Sequence, residues 1–161
     1  MSTLAFQSMN ESQVYQAVYH SCASPALAEF IAKNRGSFDS LDRLKKKAEE
    51  FFLSQGEEEW LKAFSAHPRI GDLEALRKKF AGDEQGQVAA ASESVLLELK
   101  EKNDDYFQKY GFIFIVCATG KSAEEMLFIL RSRLQNDRSQ ELKNAAREQV
   151  KIMHLRMDKL L

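Results

Sequence analysis

The sequence predicts an all-α fold: a single-domain bundle of about seven or eight helices with one buried extended segment near residues 112–118. Three observations carry this reading. Apolar residues recur at three- and four-residue spacing along almost the whole chain. Only two prolines and seven glycines interrupt it, too few for a many-turned β architecture. One run alone, residues 112–118 (Phe-Ile-Phe-Ile-Val-Cys-Ala), has the aromatic and β-branched content of a strand. A lone strand has nothing to pair with, so the run reads as extended chain between helices. The 161 residues suit one domain over 1–161.

Each element has local reasons. Asn10 and Gln13 form a capping pair, and Val14, Ala17, Val18 and Cys22 then share one face. Ser24-Pro25 sets a cap and a first-turn proline, with Gly36 as the stop. A third helix over about 40–54 turns Leu41, Leu44, Ala48, Phe51 and Phe52 inward, and Gly56 breaks it. A short helix follows with Trp60, Leu61 and Phe64. Pro68 disfavours helical geometry at His67, so that helix ends there. Gly71 permits a turn, Asp72 caps a helix through Phe80, and Ala81-Gly82-Asp83 is a further break. A long helix over about 84–110 carries Val88, Ala91, Val95, Leu99, Tyr106 and Tyr110, and Gly111 closes it. Ser122 with Glu125 is a capping box ahead of Met126, Ile129, Leu130 and Leu134. Asp137 or Ser139 opens the last helix, which carries Leu142, Ala145, Val150, Ile152, Met153 and Leu160.

Composition narrows the function classes. Lysines and arginines number 23 against 24 acidic residues, a net charge of −1, so no basic excess points to nucleic acid. No apolar run is long enough to span a membrane. No basic segment with an apolar run opens the chain, and Lys159-Leu160-Leu161 is not a peroxisomal address. A cytoplasmic location is expected. Cys22 and Cys117 sit among apolar residues outside any Cys-x-x-Cys pair and read as buried free thiols.

Few residues are placed for chemistry. His20 and His154 lie within amphipathic helices and read as surface or core-edge residues. His67 differs, because it sits in a Pro- and Gly-flanked break between two helices, where rigid elements hold a loop. Its near-neutral pKa suits proton transfer, while spacing alone serves a structural role equally well. Glu84, beside Gln85 at the start of a helix, fits a stabilising acid at the positive dipole end. Arg156, among apolar residues of the last helix, fits an arginine that snorkels to water. Glu57-Glu58-Glu59 and Lys45-Lys46-Lys47 read as solvated helix faces. Phosphate-loop, His-x-x-x-His and Gly-x-Ser-x-Gly patterns do not occur. His67 and Asp72 lack a third metal ligand, so no metal is expected.

Taken together, the motifs are familiar. Phe64-Ser-Ala-His67-Pro68-Arg-Ile70-Gly71-Asp72 is similar to the His-Pro-x-Ile-Gly-Asp signature of the 2-oxo-4-hydroxy-4-carboxy-5-ureidoimidazoline (OHCU) decarboxylases. Glu84-Gln85 resembles that family's Glu-Gln pair, 17 residues on. Asn103-x-x-Tyr106-x-x-x-Tyr110-Gly111-Phe112-x-Phe114 resembles its Asn-x-x-Tyr and Phe-Gly-Phe stretch. Arg131-x-Arg133-x-x-Asn136, Glu141, Ala145, Glu148, Lys151-Ile152 and Leu155-Arg156-Met157 resemble its closing helices. The match runs in one register over nearly the whole chain.

The resemblance implies an all-α homodimer without a cofactor that converts OHCU, a small ureido-imidazoline, to (S)-allantoin in urate breakdown. It implies His67 as catalytic acid/base, Glu84 as its polar companion and Arg156 as the cationic substrate contact. It places Pro68, the run Ala81, Gly82, Asp83, Glu84 and Gln85, and the segment Phe114, Ile115, Val116, Cys117 and Ala118 along the substrate. Ala81 stands where the family often has Ser, and Lys121 where some members have Arg. Two other readings compete. A hydrolase of another urate-pathway intermediate lacks the β-rich pattern of the transthyretin-like hydrolases. A helical interaction module without catalysis predicts an exposed apolar face.

Overall fold

The computed structural model describes residues 5–67, 74, 76, 78 and 92–160. Among them are seven complete α-helices and no strand. In chain order the helices are α1 Glu11–Ser21, α2 Pro25–Lys33, α3 Leu41–Gln55, α4 Glu57–Ser65, α5 Glu93–Tyr110, α6 Ala123–Arg133 and α7 Arg138–Met157. Glu74, Leu76 and Lys78 are also helical, and Leu76 is buried. The chain forms two compact units, one from residues 1–67 with 142–161 and the other from residues 68–141. No helix among the described residues is long and apolar enough to cross a membrane.

In the first unit the predicted caps set the helix starts. Asn10 and Gln13 form a reciprocal capping box at α1. Ser24 accepts from Leu27 N–H ahead of Pro25, and Ser40 caps α3. Gly56, at φ +93°, separates α3 from α4 with a backbone conformation that disfavours side chains. Val14, Val18, Cys22, Leu27, Ile31 and Phe52 are buried within 2 % exposure, which is the apolar stripe the spacing predicts. Phe30 and Phe51 stack at 4.3 Å, and Trp60 donates its indole N–H to the Phe52 carbonyl at 2.8 Å.

One expectation fails here. Glu59 is buried rather than solvated. Its Oε1 accepts from the Ser24 hydroxyl at 2.7 Å and from Ala26 N–H at 2.9 Å, so the carboxylate covers orphan donors at the N-terminus of α2. Burial pushes its pKa up, but those two bonds and Lys62 outweigh it and hold the carboxyl below its ordinary range.

In the second unit, α5 starts at Glu93 rather than near residue 84. Ser92 is extended (φ −69°, ψ 151°), and its hydroxyl accepts from Val95 N–H at 3.3 Å. A serine at this point ends helical propagation by capping the next turn. The predicted residues 84–91, the helix from Asp72 and the Ala81-Gly82-Asp83 break lie outside the described residues. Gly111, in the left-handed region at φ +83°, ends α5. Residues 113–118 are neither helix nor strand; Phe112, Ile115 and Cys117 are buried and the rest are half-buried. Ser122 and Glu125 then box the start of α6, and Asp137 caps α7 by accepting from Gln140 N–H at 2.8 Å.

Candidate active site

His67 follows α4 by one turn. Ala66 N–H bonds the carbonyls of Ala63 and Phe64, and His67 N–H bonds the Phe64 carbonyl at 3.1 Å. The imidazole is thus tied to a helix end that Glu59 anchors. It is half-buried, and its Nε2 lies 2.6 Å from Gln149 Oε1. Gln149 lies on α7 and is 1 % exposed, while its amide nitrogen donates to no group among the described residues.

Arg156 follows Gln149 by seven residues, two helical turns, which puts both on one face of α7. Arg156 is exposed, and its Nη1 lies 3.5 and 3.4 Å from the carbonyls of His20 and Ser21 at the C-terminal end of α1. A cation is favoured at that negative dipole end. Burial and then the Arg156 charge hold His67 below its ordinary 6.5, against the opposing Gln149 bond. At neutral pH the ring is therefore uncharged and able to accept a proton. Cys22 is free and buried, and burial pushes its thiol up to about 12, with the Arg156 charge pulling the other way. It is therefore a thiol and not a nucleophilic thiolate. His154 packs rather than reacts: its Nε2 lies 3.2 Å from the Lys45 carbonyl and 3.5 Å from Glu49. His20 is exposed.

The second unit holds a buried polar cluster beside residues 112–118. Arg133 donates Nε to Glu141 at 2.7 Å and Nη1 to the Ile115 carbonyl at 2.5 Å, and its Nη2 lies 3.2 Å from the Tyr106 hydroxyl. Tyr106 donates to Glu141 at 2.6 Å, and Asn136 donates to its other oxygen at 2.8 Å. Burial above all keeps the Tyr106 phenol protonated well beyond its usual range. The Arg133 guanidinium also stands over the Phe114 ring at 4.7 Å. Lys121 donates its ammonium to the Cys117 carbonyl at 2.8 Å, and Lys121 N–H bonds the Ala118 carbonyl at 3.0 Å. Carbonyls of Ile115, Cys117 and Ala118 are therefore engaged within the second unit.

Of the sequence-predicted site residues, the structure brings His67 under the charge of Arg156 and adds Gln149 to them. Phe114, Ile115, Val116, Cys117 and Ala118 lie in the second unit. Pro68, Ala81, Gly82, Asp83, Glu84 and Gln85 lie outside the described residues. Among the described residues no three His, Cys, Asp or Glu side chains stand together as a metal-binding group.

A half-buried histidine at a helix end, in contact with a buried amide and in the field of an arginine, is the titratable group that this all-helical protein sets apart. The chain belongs to the OHCU decarboxylase family: the family model described as OHCU decarboxylase matches residues 7–158. Among curated relatives, a uric acid degradation bifunctional protein of Arabidopsis thaliana is 37% identical over 145 residues, 86% of this chain and 44% of the relative. A 2-oxo-4-hydroxy-4-carboxy-5-ureidoimidazoline decarboxylase of Xenopus laevis is 35% identical over 97 residues, 56% of this chain and 55% of the relative. The chain thus spans about half the length of these two relatives. An OHCU decarboxylase crystallised in the presence of (S)-allantoin is 36% identical, with TM-score 0.68 over 88% of this chain and 94% of that one. An (S)-allantoin synthase structure, 18% identical with TM-score 0.76 over 96% of this chain and 52% of that one, shares the fold.

Proposed function

We propose that this chain is a carboxy-lyase that decarboxylates OHCU to (S)-allantoin in urate degradation. The observation that carries the reading is His67: it stands at the His of the family signature, is half-buried, and is held below its ordinary pKa by burial and the Arg156 charge. The family match and the 36%-identical neighbour crystallised with (S)-allantoin support the substrate class. The single match across residues 7–158 supports treating the two units as one domain. A homodimer in the cytoplasm, with neither nucleic acid nor membrane as partner, belongs to the same reading.

The chemistry suits these groups. The bond from the ring carbon to the carboxylate breaks, CO2 leaves, and the electron pair enters the adjacent C=N of the substrate. That internal sink makes an external electron acceptor unnecessary. The protein then has to orient the carboxylate, stabilise charge and deliver a proton to one face of the neighbouring, ureido-bearing carbon. His67 moves the proton, Glu84 orients His67 or a substrate N–H, and the Arg156 guanidinium binds a carboxylate or carbonyl with its fork. Residues Pro68, 81–85 and 114–118 are the proposed further substrate contacts.

The test is decarboxylation of freshly generated OHCU, followed by circular dichroism of the allantoin formed. Build-up of one enantiomer faster than in buffer is expected. Racemic product at the buffer rate would sink the assignment and favour a binding role. Turnover of a different intermediate would favour the hydrolase.

A further inference from the structure

We propose that Gln149 is a positioning residue for His67: its carbonyl keeps a proton on Nε2 through the reaction cycle, so Nδ1 is the atom that exchanges a proton with substrate. The exchange step rests on the decarboxylase reading; the tautomer does not.

The geometry supplies the first argument. Gln149 Oε1 faces His67 Nε2 at 2.6 Å, and a carbonyl oxygen can only accept. The neutral Nε2–H ring and the imidazolium both satisfy it. The Nδ1–H tautomer would set two lone pairs against each other at this distance. Satisfaction of the amide itself supplies the second argument. Gln149 is 1 % exposed and its amide nitrogen donates to no group among the described residues, where the side chain therefore bears the cost of a buried, unpaired donor. Packing alone would be served better by Met or Leu at this position, between the buried Ala145 and Met153. The one bond the amide makes among the described residues is to His67.

Charge supplies the third argument. Among the described residues the charge that acts on His67 is that of Arg156, and Gln149 is neutral. A carboxylate at position 149 would hold the same N–H but favour the imidazolium. The neutral amide fixes the tautomer and leaves Nδ1 unprotonated at neutral pH. As CO2 departs, the electron pair forms a ring C=C bond and the former C=N nitrogen takes a proton from solvent. Nδ1 then accepts the substrate hydroxyl proton and returns it to the neighbouring, ureido-bearing ring carbon as the carbonyl forms on the carbon that lost CO2. The imidazole ends as it began, with its Nε2 proton untouched.

The experiment compares wild type, Gln149→Met and Gln149→Glu, each labelled with 15N-histidine. Long-range proton–nitrogen correlation reads the His67 tautomer, and kcat/KM is followed against pH. Wild type is expected as the Nε2–H tautomer. Gln149→Met should melt at or above wild type, mix its tautomers and lose at least about tenfold in kcat. Gln149→Glu should keep the tautomer and move the acidic limb of the profile to higher pH. An active wild type with the Nδ1–H tautomer would overturn the inference and leave the decarboxylase reading standing. So would a Gln149→Met enzyme with unchanged kcat, or a Gln149→Glu enzyme with an unmoved acidic limb. An Nε2–H wild type that cannot turn over OHCU would uphold the tautomer and overturn both the reading and the exchange step.

Discussion

Arg133 is the residue whose loss the second unit should feel most. Arg133→Met removes the guanidinium from a cluster in which Glu141 is 0 % and Arg133 8 % exposed. Glu141 keeps the Tyr106 and Asn136 donors but loses its cation, and the Ile115 carbonyl loses its donor. Breaking one half of a buried pair costs about 3–5 kcal/mol, because the remaining charge stays uncompensated. At about 2–4 °C per kcal/mol for a chain of this size, the melting point should fall by roughly 6–20 °C. Thermal unfolding by circular dichroism reads this directly. Arg133→Met/Glu141→Leu removes both charges and should melt above the single variant, although Tyr106 and Asn136 then lose a partner. Because Ile115 lies in a proposed substrate contact, any folded single variant should also show a raised KM. A fall of less than about 2 °C in Arg133→Met, or a double variant as unstable as the sum of the singles, would refute the reasoning.

Three further outcomes follow from the first unit. His67→Ala should fold, with a melting point lowered by the orphaned Gln149 amide, and lose at least about 10²-fold in rate, and a folded variant with wild-type rate would remove His67 from the chemistry. Because the folded protein holds His67 below 6.5, the stability from its neutral form is complete above 6.5 and is lost as pH falls below it. A denaturant series over that range should show the slope in wild type and not in His67→Ala. Arg156→Ala should raise KM or lower kcat at constant melting point; a collapse of the melting point would make Arg156 a cap of α1 instead. Glu59→Ala should cost about 2–3 kcal/mol by orphaning the Ser24 hydroxyl and Ala26 N–H. Its carboxyl lies below 4.5 when folded, so the gap to wild type, measured by urea unfolding, should be full above 4.5 and close as pH falls further.

What was legible in the sequence was local. Asn10 with Gln13, Ser24 with Pro25, and Ser122 with Glu125 announce helix starts because cap and capped N–H lie within a few residues of each other. His67 stood out because Pro68 ends a helix beside it. What was not legible depended on register across elements. Ser92 looked like one more polar position in a continuous periodic run, yet its hydroxyl caps α5. Glu59 looked like its neighbours Glu57 and Glu58, and only the approach of Ser24 and Ala26 distinguishes it.

A usable signal did exist for the rest. Leu142, Ala145, Ala146, Gln149 and Met153 follow the three- and four-residue spacing of one buried stripe, and Gln149 is the polar member of that register. A polar side chain on an apolar register has to be explained by its partner, and the partners differ in kind. Glu59 ends on a cap hydroxyl and a backbone N–H, which already completes α2, so its burial is accounted for by folding alone. Glu141 is likewise met by Arg133, Tyr106 and Asn136. Gln149 ends on a titratable ring while, among the described residues, half of its own amide goes unmet. Folding stability does not select such an arrangement, whereas control of where a proton sits on His67 does.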